Sequence, residues 1–62
     1  MANERAYIEH IILDWENEKN YRQKILNDPT ASAKDKETAR ERVAYAEKCI
    51  AEAKADLAKM DN

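Results

Sequence analysis

Ala39, Val43, Ala46, Ile50, Ala53, Leu57 and Met60 follow one another at steps of four, three, four, three, four and three. That spacing is the rhythm of a helix whose apolar seam stays turned toward a partner helix. Small and large residues take turns along it. Alanine at every seventh position lets two backbones approach near the close end of the 8–10 Å range of helix packing. The second half of the chain therefore reads as a helix that needs another helix to lie on.

The first half supplies one. Asn27-Asp28-Pro29-Thr30 is a cluster of turn formers in an otherwise helix-favouring chain that contains no glycine and one proline. A residue that precedes proline is pushed away from helical geometry, so the first helix should end by Asn27. Ser32 and Asp35 have the spacing of a capping box, which places the second N-terminus at Ser32. Asp28 with Pro29 as first helical residue is the alternative cap; the late start of the apolar rhythm, at Ala39, favours Ser32. The expected organisation is one hairpin over 1–62, with helix 1 at about 3–27, a turn at about 28–32 and helix 2 at about 33–60.

A connection this short makes the helices antiparallel neighbours. Folding at the turn sets opposite each other residues whose numbers sum to about 60. The apolar face of helix 1 holds Ile8, Ile11, Ile12, Trp15, Ile25 and Leu26, interrupted by Glu18, Lys19 and Arg22. Trp15 then stands level with Val43 and Ala46, and Ile11 and Ile8 level with Ile50 and Ala53. The expected seam joins Ile8, Ile11 and Trp15 to Ala39, Val43, Ala46, Ile50, Ala53 and Leu57. Packing should be tightest around Trp15, Ala46 and Ile50. Toward the turn, Glu18 and Arg22 are four apart in the favourable order and can pair beside Ala39 and Val43; that end is then either wetter and looser, or the part that fixes register or meets a partner. The fold class is all-α, an antiparallel, coiled-coil-like two-helix hairpin.

Size presses the argument further. A chain of 62 residues buries only about 60% of its unfolded surface, and one seam is a small core. The single cysteine, Cys49, has no partner for a disulfide. Dimerisation into a four-helix bundle about a two-fold axis is the economical remedy. An unpaired cysteine suits a reducing, cytoplasmic setting. Glu4, Arg5, Glu9 and His10 interrupt any signal-like apolar run, and no stretch approaches membrane-spanning length. Thirteen acidic against eleven basic residues give a net charge of −2, with no global attraction to nucleic acid or anionic membrane.

Chemistry is sparsely supplied. An enzyme needs several reactive groups converging in a sheltered place. Here stand one histidine, His10, facing away from the main stripe, one cysteine flanking the helix 2 seam, and Ser32, committed to capping. Glu9 and Glu16 fall in line along helix 1, but the Glu-x-x-His pattern of di-iron bundles is missing. Without glycine no glycine-rich phosphate loop can form. The expectation is a non-enzymatic protein with no catalytic, cofactor or metal residues and no small-molecule substrate.

Binding remains. Lys19, Arg22, Lys24, Lys34, Lys36, Arg40 and Arg42 crowd the turn-proximal half, but Glu16, Glu18, Asp28, Asp35, Glu37 and Glu41 are interleaved with them. Phosphate recognition wants a segregated positive face. In length and outline the chain resembles small plasmid-encoded RNA-regulating hairpins, a resemblance of architecture that carries no site residues across. Protein binding asks for less. Leu13 lies on the polar back of helix 1; Tyr7, Tyr21 and Ile25 widen its apolar arc; Tyr45 occupies a flank of helix 2. Tyr7, Leu13, Trp15, Tyr21, Arg22, Ile25 and Tyr45 are the candidate protein interface, since aromatics bury large areas while keeping a polar handle. The leading expectation is a small protein-binding or regulatory module whose partner is a second copy, another protein, or both. An RNA-binding regulator on a hairpin dimer and a purely structural assembly module are the alternatives, and no membrane partner is expected.

Overall fold

The computed structural model describes residues 4–60. They form an all-α hairpin of two helices, α1 (Glu4–Leu26) and α2 (Ala33–Met60). Alanine, glutamate, lysine and arginine, all strong helix formers, fill most positions outside the seam. Each helix also has an acidic first turn, Glu4 and Asp35, and a basic last turn, Lys24 and Lys59, matching its macrodipole. The hairpin is a rod of 46 × 17 × 13 Å with a radius of gyration of 14.4 Å. A compact chain of this length would have a radius of about 11 Å. Each helix therefore has one neighbour and three sides facing solvent.

The turn is held locally. The Ala31 N–H donates to the Asp28 carbonyl (3.2 Å), closing a four-residue turn with Pro29 second, where its fixed φ is suited. The Asp28 carboxylate accepts from both the Thr30 N–H (2.8 Å) and the Thr30 hydroxyl (2.7 Å). Those two bonds hold its pKa below the ordinary 3.8, the hydroxyl contributing most. Asp28 thus braces the turn, and the helix cap belongs to Ser32, whose Oγ accepts from the Asp35 N–H at 3.0 Å.

Across the seam, Ala39 and Ala46 are fully buried, with Val43, Ile50 and Ala53 at 6–8% exposure. From α1 a single residue, Ile12, is buried to the same degree. Ile12, Ile50 and Ala53 make the core cluster, with Ile8, Trp15 and Leu57 packed against it. Three details differ from expectation. The α1 seam runs through Ile12 rather than Ile11, because the four-three steps from Ile8 lead to Ile12 and Trp15. Ile11, turned about 100° from Ile12, is only half-buried. Met60 is 40% exposed, since in this register it lies level with the first turn of α1, where the facing helix has just begun. The turn end is not loose either. Glu18, Lys19, Arg22 and Gln23 are half-buried at the level of Ala39 and Val43, as is Leu26 one turn nearer the loop; long polar side chains can bury their aliphatic stems in this way.

Two consequences can be measured. Ile12→Ala should cost about 2–5 kcal/mol in chemical denaturation. Ala46→Leu should also destabilise, by roughly 1–3 kcal/mol, because added volume would separate the helices; a stability gain from Ala46→Leu would disprove the close approach. At the turn, Thr30→Val removes the hydroxyl donor and should raise the Asp28 pKa toward 3.8 in a carboxyl NMR titration. A depressed carboxyl pKa contributes stability above its ordinary value and loses it as pH falls through the folded pKa. Wild type and Thr30→Val should therefore converge in stability in acid.

Candidate interaction face

The hairpin's two broad sides are unlike. On α1, Trp15 lies about 60° from Ile12 and Ile11 about 100° in the same sense, with Tyr7 and Ile25 a further 40° round. The Trp15 indole meets the Tyr45 ring of α2 in an edge-to-face contact, with centroids 5.4 Å apart and planes at 74°. This contact fixes which flank of α2 adjoins which flank of α1. Two shallow hollows lie along the same line. One is bounded by Asp14, Trp15 and Glu18 of α1 with Arg42 of α2. The other lies nearer the turn, bounded by Arg22 and Ile25 of α1 with Asp35 and Thr38 of α2.

α2 contributes a second four-three series to this side: Thr38, Arg42, Tyr45, Cys49, Glu52 and Asp56. It runs beside the buried stripe and parallel to it. One broad side therefore gathers Tyr7, Ile11, Trp15, Ile25, Tyr45 and the half-buried free thiol of Cys49. The opposite side carries Glu9, Glu16 and Asn20 of α1 with Arg40, Glu47 and Lys54 of α2, all exposed.

Of the interface residues expected from sequence, Tyr7, Trp15, Arg22, Ile25 and Tyr45 fall on this one side. Leu13, 52% exposed, is on the other, and Tyr21, 58% exposed, stands at the outer edge on the back of α1. Tyr45 leans over the seam against Trp15, yet half of it remains in solvent (53%). Arg22 is fixed from two directions: its Nε donates to Glu18 Oε1 at 2.7 Å, and its guanidinium sits 5.3 Å from the Tyr21 ring centroid. A partly exposed pair of this kind contributes a few tenths of a kcal/mol, so its main effect is to hold the guanidinium in place. Arg42, Cys49, Glu52 and Asp56 were not singled out as one surface from sequence. The signal was the second four-three series, overshadowed by the apolar stripe next to it.

Reactive groups stay scattered. His10 Nε2 lies 3.7 Å from Asp14 Oδ2, both exposed on the back of α1. Among the described residues no group of three or more His, Cys, Asp or Glu could hold a metal ion, and no helix is long and apolar enough to cross a membrane. The Tyr45 hydroxyl is pushed above its ordinary 10.0, first by hydrogen bonding with Cys49 one turn away, then by electrostatic repulsion from Cys49 and Glu52. Comparison with protein-family models, curated proteins and solved structures gives no match for this chain.

The Tyr45 shift carries a test of the Tyr45–Cys49 contact. A raised pKa favours the neutral phenol in the folded state, so this contribution is complete below pH 10.0 and lost as pH rises through the folded pKa. Cys49→Ala should return the phenol's titration, followed by NMR, toward 10.0. An unchanged titration would remove the contact.

Proposed function

We propose that the hairpin is a non-enzymatic protein-binding module that works through the side built around Trp15 and Tyr45. One observation carries this reading: Tyr7, Ile11, Trp15, Ile25 and Tyr45 fall on one broad side among charges of both signs, while the other side carries Leu13 among charged residues. Exposed apolar residues scattered singly need no explanation, but several gathered on one side of a small protein, with charges among them, are consistent with an interaction surface. Aromatic residues at its centre, with arginines beside them, have the composition of interface anchors. The mixed signs of charge on this side favour a protein over a polyanion. The unpaired Cys49 supports a cytoplasmic setting.

Photo-crosslinking in the native cell tests the reading without assuming the partner. A photo-reactive phenylalanine replacing Tyr7 or Tyr45 should give discrete protein adducts, and the same group replacing Glu47 or Leu13 should not. Equal labelling from both sides, or none from Tyr7 and Tyr45, would overturn it.

A further inference from the structure

We propose that a second copy of this chain covers the Trp15–Tyr45 side. The two hairpins pack antiparallel, the turn of one over the open end of the other, and Arg42 of each meets Glu52 of its mate. The inference rests on the protein-binding reading and names its partner. Three observations carry it.

The first is area. The chain exposes 4872 Å², whereas a compact protein of 7.2 kDa exposes about 4,100 Å². The excess approaches the roughly 800 Å² that each partner contributes to a stable interface of standard size. One broad side of a rod 46 Å long and 17 Å wide can supply it.

The second is position. Trp15 is the central residue of α1, and Tyr45 lies within two residues of the centre of α2. A two-fold axis perpendicular to the helices, passing beside Trp15 and crossing α2 at the level of Glu47, two residues from Tyr45, lays each hairpin's full length on its mate. It stacks α1 on α1 and α2 on α2, with the bulkiest groups at the middle of the interface.

The third is charge. Along the middle of this side Arg42 stands toward the turn and Glu52 and Asp56 toward the open end, with Asp35 and Lys59 continuing the same series at its two ends. Glu18 is bound to Arg22 and Asp14 stands beside His10. Arg42, Glu52 and Asp56 have no ion-pair partner among the described residues. Antiparallel stacking of α2 on α2 about its centre brings Arg42 level with Glu52 of the second copy, twice over by symmetry. A parallel arrangement would bring both copies' Arg42 to one level and both copies' Glu52 to another, leaving each without an opposite charge. Complementary charge selects register and orientation in this way.

The test uses the purified full chain. Sedimentation across a dilution series should show a reversible dimer. Arg42→Glu and Glu52→Arg should each raise its dissociation constant by about tenfold, and the double variant should return it to near the wild-type value. That return also shows that neither change acts by unfolding the helix. Orientation is read separately, from spin labels at Lys34→Cys in a Cys49→Ala background. Near the turn, two such labels should lie about 40 Å apart in the antiparallel dimer, from the 1.5 Å rise per residue, and much closer in a parallel one. A monomer at all concentrations would overturn the second copy as occupant, yet photo-crosslinks from Tyr7 and Tyr45 to another protein would leave the binding reading standing. A dimer with a short label distance, or without rescue by the double variant, would overturn the antiparallel register. Absence of both dimer and crosslinks would overturn both.

Discussion

Everything in this hairpin depends on how near its two helices come. Ala39 and Ala46 have no accessible surface, and alanine at these positions lets the facing helix approach closely. Close approach strengthens dispersion contacts along the line where the helices touch. It also makes that line narrow. A seam built on alanine buries few atoms per turn, so the large apolar groups end up on its flanks. The half-buried Trp15 and the more exposed Tyr45 follow from the same geometry that buries the alanines.

That narrowness sets the division between stability and function. Ile12, Ile50 and Ala53, with Ile8, Trp15 and Leu57 around them, provide the core toward the open end. Toward the turn the half-buried residues of α1 are Lys19, Arg22 and Gln23 together with Ile25 and Leu26. Such a structure has stable register because alanines and bulky residues alternate, and a modest stability because buried area is short. Covering the Trp15–Tyr45 side would remedy the second without disturbing the first.

Much of this was legible in the sequence for definite physical reasons. The α2 stripe is read directly because each of its residues repeats at a helical interval, and Ser32 caps α2 because its oxygen stands three residues before an available N–H. The pairing of Glu18 with Arg22 follows from their four-residue separation. Ile11 and Ile12 could not be separated in the same way. Both are isoleucines on the apolar arc of α1, and what chooses between them is the rotation of α1 imposed by α2. The half-burial of Lys19 and Gln23 also escaped, since such a residue reads as polar while its methylenes can pack as apolar groups. The side shared by Tyr7, Trp15 and Tyr45 was visible as a list of residues but not as a surface. Assigning Leu13 and Tyr21 elsewhere required knowing which flanks of the two helices adjoin.

The polar residues within the Trp15–Tyr45 side bear on what kind of surface it is. A side designed only for burial would place apolar residues where Glu18, Arg22 and Arg42 stand, and would gain stability by it. It would also associate with any apolar surface at hand. Charges placed among aromatic anchors penalise every partner that fails to answer them, which turns a sticky strip into a selective one. Arg22, locked between Glu18 and the Tyr21 ring, contributes a fixed charge at little further entropic cost. Arg42, with no ion-pair partner among the described residues, contributes one that still requires an acid. On this view the weak middle of the α1 stripe is not a defect in the core. If the hairpin binds as proposed, it is where stability is given up for discrimination among surfaces.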